Sequence, residues 1–168
     1  FYREFNAPLY GTKLTLGLAE LKLKEHNLLS NMERICVSPG ETISLGKHFQ
    51  VEFISVTHSI ADACALSIKT PVGTVIHSGD FKIDHTPIMG GKMDLQRFAE
   101  LGKKGVLLLL CDSTNVELKG YTISEKLVGE TFEHIFNQTP NQRIMVATFS
   151  SNIHRIQQII GAAERHNR

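Results

Sequence analysis

Along this chain the spacing of hydrophobic and polar positions changes period several times, and each change predicts an element. Over residues 13–26 the pattern is helical: Leu14, Leu18 and Leu21 lie on one face and Glu25 continues the row. Residues 34–37 predict a short strand stopped by Pro39-Gly40. The clearest strand covers 49–56, β-branched and aromatic, and ends at Thr57-His58. Residues 64–69 and 74–77 flank Pro71-Val72-Gly73 and predict a hairpin. A short helix over 95–101 leads into 106–111, an apolar run with the length of a buried strand. The polar stretch 112–121 suits a domain boundary. Beyond it, Thr122 and Glu125 have capping-box spacing for a helix reaching about residue 137. Residues 143–148 predict another strand. Ser150-Ser151 then opens a last helix with a stripe of Ile153, Ile156, Ile160 and Ala163. A β-rich region followed by β-α-β-α predicts a two-layer α/β unit and the start of a doubly wound one.

Composition narrows the classes without choosing among them. The 168 residues are 42% hydrophobic and 21% charged, which suits a globular domain, or one domain and the beginning of a second. No stretch approaches the roughly 20 apolar residues of a membrane span, so no membrane partner is expected. A net charge of +1 offers no electrostatic case for nucleic acid, so any such role must rest on local features. Cys36, Cys64 and Cys111 are widely spaced and form no C-x-x-C pair. They indicate neither a disulfide framework nor a thiolate zinc site, and are expected to be small buried hydrophobes in a reducing cytosol. Phe1 and Tyr2 look like the tail of an earlier element, so the chain is expected to begin in mid-domain.

The candidate chemistry sits at strand ends, where loops on a rigid sheet hold functional groups. His58 follows the best strand and Asp80 follows the second strand of the hairpin. Imidazole and carboxylate are both ligands for a zinc-type ion, and one carboxylate can bridge two metals. A lone strand-end histidine is equally at home as a hydrogen-bonded structural residue, so spacing leaves both readings open. His77 and Ser78 stand beside Asp80 and can support it, although a strand histidine facing into the fold is the simpler account of His77. Gly79 permits a tight turn that aims Asp80 into a cleft. Lys82 suits a phosphate or plain solvent. Asp112, in Asp-Ser-Thr-Asn, either orients a metal-ligating histidine or forms an Asx turn. At the last helix, Ser151, Asn152 and Ile153 offer backbone N–H groups and small polar side chains to an anion, with Arg155 adding charge; simple N-capping by Ser150 or Ser151 is compatible with this. His26, His48, His85, His134 and His166 fall in polar contexts and are expected to be solvated.

Taken in order, Phe-Asn-Ala-Pro-Leu-Tyr-Gly-Thr near the start, Thr57-His58-Ser59-Ile60, His77-Ser78-Gly79-Asp80-Phe81-Lys82, Asp112-Ser113-Thr114-Asn115 and Ser151-Asn152-Ile153-His154-Arg155 resemble the ribonuclease J branch of the β-CASP family, within the metallo-β-lactamase superfamily. The resemblance covers essentially the whole chain. It implies part of a metallo-β-lactamase αββα sandwich over 1–118 and the start of a β-CASP α/β domain over 119–168. His58 resembles the ligand to one zinc, and Asp80 the aspartate that bridges two. Asp112 resembles the β-CASP acidic residue at the entry to the inserted domain, a catalytic position. Ser151, Asn152 and Ile153 resemble part of the pocket for an RNA 5′-phosphate. The implied activity is hydrolysis of RNA phosphodiesters, 5′-to-3′ exonucleolytic and endonucleolytic. The implied setting is two zinc ions per complete site, with manganese an alternative, in a cytoplasmic homo-oligomer.

The departures bear on activity. The family's His-x-His-x-Asp-His motif is not in this sequence and is expected upstream of Phe1; the late β-CASP histidines are expected beyond Arg168. Ala61 stands where a proline is expected. Two ligands fall short of the three or four that a zinc site uses, so the chain alone is expected to be inactive and marginally stable, with an exposed sheet edge. Two other functions fit parts of the sequence. One is a metallo-β-lactamase-fold hydrolase of a small thioester or lactone, against which the β-α-β-α segment counts. The other is a non-enzymatic phosphate-binding α/β module, which requires His58 and Asp80 to lie far apart.

Overall fold

The computed structural model describes residues 7–28 and 32–168, so the reading of Phe1 and Tyr2 lies outside the described residues. The chain opens with a βαβ unit. Strand β1 (Leu9–Gly11) pairs in parallel with β2 (Arg34–Cys36), Leu9 opposite Arg34 and Gly11 opposite Cys36, across helix α1 (Lys13–Glu25). Five strands follow in one sheet: β3 (Thr42–Leu45), β4 (Phe49–Ser55), β5 (Cys64–Thr70), β6 (Gly73–His77) and β7 (Leu108–Leu110). They lie side by side in chain order. The first three pairings are antiparallel, and β6–β7 is parallel. A parallel pairing needs a crossover, and helix α2 (Leu95–Lys104) lies within it.

Alternation along β4 and β5 explains why this sheet is covered on both faces. Ile54 and Ala65 point one way and join Val56, Ile76 and Leu101, with Phe98, Met93 and Val106 packed against them, so α2 seals that face. Val51 and Phe53 point the other way, to Val37, Tyr10 and Ile43, which belong to the βαβ unit and β3. Side chain and backbone fix α2 in place. The Asp94 carboxylate accepts the Arg97 N–H at 2.9 Å as the helix cap, and the Asp94 N–H donates to the Ser55 carbonyl at 3.0 Å. Arg97 then grips Glu52 of β4 through two hydrogen bonds of 2.6 and 2.8 Å. These bonds, with one to Glu100, raise the already high guanidinium pKa.

Helices α3 (Glu125–Gln138) and α4 (Ile153–Arg165) pack as a pair. At one end Arg165 and His166 both engage Glu133, and the His166 ring stacks on Phe136 with centroids 5.6 Å apart. These partners hold the Glu133 carboxyl below its ordinary value. His166 is therefore a packed residue, contrary to the expectation of a solvated one.

The α/β class and most elements follow the sequence pattern, and the differences have physical causes. Strands β1 and β3 are too short to show a period, and pairing makes them strands. Residues 143–148 form no strand: no partner among the described residues takes up their backbone, and Met145 stays 90% exposed. The apolar run 106–111 narrows to β7, an edge strand rather than a buried one, with Leu107, Leu108, Leu109 and Leu110 all exposed. In α1 no residue is fully buried; Leu14 and Leu18 of its row are half-covered, and Leu21 is 61% exposed. Ser124, not Thr122, caps α3, accepting the Lys126 N–H at 3.2 Å. Asn152, not Ser150 or Ser151, caps α4, accepting the Arg155 N–H at 3.2 Å. Cys36 and Cys111 are exposed rather than buried. Cys64 is half-buried, and burial next to Asp62 pushes its thiol up to about 11.

Candidate active site

His58 and Asp80 come from different strand ends and meet: Nε2 of His58 lies 3.9 Å from Oδ2 of Asp80. Two ligand bonds of about 2.0–2.2 Å span at most roughly 4.4 Å, so one ion can touch both atoms. The separation demanded by a module working through the last helix alone is not what the chain adopts. Asp80 projects outward, its side chain 81% exposed against 34% for His58, so the carboxylate is open to further partners.

The turn carrying Asp80 is held from three sides. Gly79 has φ +60°, and a Cβ there would come within 3.0 Å of the Cys64 carbonyl oxygen, so both conformation and space require glycine. The Gly79 N–H donates to Nδ1 of His77 at 3.0 Å; His77 is exposed and serves the turn instead of facing into the fold. Ser78 is buried, donates to the Gly79 carbonyl at 2.7 Å and accepts the Asp112 N–H at 2.8 Å. Asp112 closes the circle by accepting the Phe81 N–H at 3.4 Å on Oδ2 and the Thr114 N–H at 2.9 Å on Oδ1. Thr114 foremost, through N–H and hydroxyl, then the Phe81 N–H and nearby His58, hold the Asp112 carboxyl below its ordinary value. Asp112 thus forms the Asx turn, and its second oxygen goes to the Phe81 N–H beside Asp80 and not to a histidine.

On the other side of His58, Thr57 is buried and binds the segment that follows Asp80. Its carbonyl accepts the Lys82 N–H at 2.7 Å, and its hydroxyl bonds the Lys82 carbonyl. Lys82 is largely enclosed and its ammonium is already partnered. Its ammonium donates to the Ile123 carbonyl at 3.1 Å and to Glu125 at 3.3 Å, and stands 3.7 Å from Asp84. Asp84 is a buried carboxylate that accepts the Thr86 N–H at 2.9 Å, and the Ser124 hydroxyl and Glu125 N–H at 3.1 Å each. Burial works to raise its pKa, but these donors and Lys82 outweigh it and hold the carboxyl below the usual range. Arg155 is likewise taken, forking onto Glu125 at 2.7 and 3.3 Å.

His58, Asp62, Lys82, Asp84, Glu125 and His154 line a cleft of about 280 Å³, whose lining does not include Asp80, Asp112 or Arg155. Ser151, Asn152 and Ile153 sit at the start of α4 beside His154. Much of the anion-binding capacity expected there is spent locally. The Asn152 N–H goes to the Phe149 carbonyl, the Ile153 N–H to the Ser151 carbonyl, and the buried Asn152 side chain to the cap. Thr57, Asp84, Glu125 and His154 were not singled out as site residues by sequence reasoning. Nothing in local spacing links Asp84 to Ser124, 40 positions on.

Among the described residues, no group of three or more His, Cys, Asp or Glu side chains is placed to hold a metal ion. His58 and Asp80 bring together two donors of the kind a metal takes, one short of such a group. No helix is long and apolar enough to cross a membrane among those residues.

The chain was compared with known proteins. A family model for the β-CASP domain of ribonuclease J matches residues 141–168. Ribonuclease J of Synechocystis sp. is 50% identical over 167 residues, and that of Thermus thermophilus 43% over 171. Ribonuclease J2 of Bacillus subtilis is 40% identical over 168 residues. These alignments take in 99%, 100% and 98% of the chain but only 26%, 29% and 29% of the relatives, so the chain spans little more than a quarter of their length. The crystal structure of an Enterococcus faecalis V583 protein of unknown function has a TM-score of 0.68 and 20% identity, over 92% of this chain and 39% of that one; it shares the fold. With identities of 40–50% sustained from one end of the sequence to the other, the chain is similar along its whole length to a segment of ribonuclease J.

Proposed function

We propose that this chain forms part of a metal-dependent ribonuclease that hydrolyses RNA phosphodiesters, and that by itself it is inactive. The observation that carries the reading is the approach of His58 Nε2 to Asp80 Oδ2 at 3.9 Å, on loops locked by Gly79, Ser78 and Thr57. The activity named for its relatives supplies the substrate class. His58 and Asp80 are the residues that would hold a zinc or manganese ion. When bound, such an ion supplies Lewis acidity toward a phosphoryl oxygen and lowers the pKa of water. The chain's own contribution is placement. Gly79 turns Asp80 outward, Asp112 steadies the Asp80–Phe81 peptide, and Thr57 fixes His58. Asp112 acts here as a positioning residue, because both of its oxygens accept backbone N–H groups. Ser151, Asn152 and Ile153 are assigned to the RNA 5′-phosphate end. Exonucleolytic cutting from that end is the activity this assignment serves, beside endonucleolytic cutting at the same cleft.

Inactivity of the isolated chain is expected from the ligand count among the described residues, which stays below the three or four a zinc site needs. Incubated with zinc and 5′-phosphorylated RNA, the 168-residue chain is expected to show no turnover; hydrolysis that Asp80→Ala abolishes would refute this. The hydrolytic reading is tested by grafting the chain over the matching segment of the Synechocystis ribonuclease J. The folded chimera should cleave 5′-phosphorylated RNA, and His58→Ala or Asp80→Ala should each lower kcat by at least about 10²-fold, the scale of losing a metal-site ligand or its support. A folded chimera indifferent to both substitutions sinks the assignment.

A further inference from the structure

A run of hydrogen bonds, backbone at one end and side chain at the other, links the chain neighbours of His58 and His154, the two histidines of the cleft. It starts at Thr57, beside His58, whose carbonyl and hydroxyl are both bonded to Lys82. From Lys82 it passes through the ammonium to Glu125 at the start of α3, and from Glu125 through two hydrogen bonds to Arg155 in the first turn of α4. Arg155 is the neighbour of His154, which lines the same cleft as His58. Asp84 completes the set from the sheet side, gripping Ser124 and the Glu125 N–H at the start of α3. Two cations face two carboxylates, so the charges balance. Three of the four are well enclosed: the side chains of Asp84, Glu125 and Lys82 are 4%, 12% and 19% exposed.

Enclosed, balanced and multiply hydrogen-bonded charges impose one arrangement on the elements that carry them, since removing any member strands a partner away from water. Here the elements are the loop after β6 on one side and the first turns of α3 and α4 on the other. We propose that Lys82, Asp84, Glu125 and Arg155 are positioning residues. They lock the α3–α4 pair onto the sheet and set His154 in the wall of the cleft that His58 also lines, with Asp80 3.9 Å from His58 and outside that lining. His154 is then a substrate-contacting group of the cleft in its own right, outside the metal ligands. That last point rests on the hydrolytic reading; the lock does not.

The lock is tested without metal or RNA, so its failure and that of the hydrolytic reading are distinguishable. Ring resonances of His154 and amide exchange over Ile153–Ile156 are followed by NMR in the 168-residue chain. Lys82→Met and Glu125→Gln should each shift the His154 ring signals and speed that exchange by roughly tenfold or more, the scale of one charged hydrogen bond. The double variant should show less than the product of the two effects, because both break one network. Lys82→Arg should restore most of the wild-type behaviour. Glu133→Gln, which breaks the ion pair at the opposite end of the same helices, should leave His154 unmoved. If Lys82→Met also melts β4 and β5, Arg155→Lys is read instead: it keeps the charge and loses the fork, and should move His154 alone. His154 signals that ignore these changes, or that respond equally to Glu133→Gln, overturn the proposal.

Discussion

Gly79 sits at φ +60° with the Cys64 carbonyl where its Cβ would stand, and it decides where Asp80 points. Alanine there must adopt a left-handed conformation and displace backbone, so Gly79→Ala is expected to lower stability by about 1–3 kcal/mol. Urea denaturation followed by circular dichroism measures this, and an unchanged midpoint would show that the turn relaxes freely. Asp84 carries a pH dependence. Its folded pKa lies below the 3.8 of an unperturbed carboxyl, so unfolding at low pH takes up a proton that the folded state resists. The stability it contributes is complete above about pH 4–5 and fades as pH falls through its folded pKa. Asp84→Asn should therefore cost roughly 1–3 kcal/mol at pH 7, the value of charged hydrogen bonds, with the gap to wild type closing toward pH 3. A gap that stays constant down to pH 3 would place the titration elsewhere.

Among the elements, α2 and α4 carry different kinds of load. Leu101 of α2 is buried against Ile54, Ala65 and Ile76, and its truncation opens a cavity under the sheet. Leu101→Ala should destabilise the chain by about 2–4 kcal/mol, visible as an earlier, still cooperative melt. Asn152 does local work, accepting the Arg155 N–H at the start of α4. Asn152→Ala should cost about 1 kcal/mol and Asn152→Asp almost nothing, since either side chain can cap. Equal losses from both would mean that the buried Asn152 amide, not its oxygen, is what the helix start needs. The sequence places α4 within a residue or two, but it shows Ser150, Ser151 and Asn152 as three competent caps. Burial of Asn152 is what selects among them.

For the whole molecule the exposed edge is decisive. The exposed leucines of β7 and the residue before it lie on a strand that, among the described residues, pairs only with β6, so apolar surface and a sheet edge coincide there. The isolated chain should associate with increasing concentration in sedimentation velocity, and Leu109→Lys should suppress this; a concentration-independent monomer would contradict it. The run 106–111 shows why the sequence misleads here, for apolarity reports what a strand can bury and not whether anything covers it. What the sequence determined by itself is the local part. The β4, β5 and β6 strands, the α2, α3 and α4 helices and the glycine turn before Asp80 all follow from side-chain period and backbone freedom within a few residues. The tertiary structure alone decided that His58 and Asp80 meet, that residues 143–148 find no ladder, and that Lys82 and Arg155 are spent on Glu125 rather than offered to a ligand. Those outcomes depend on groups tens of positions apart coming within hydrogen-bonding distance, and no pattern along the chain encodes that distance.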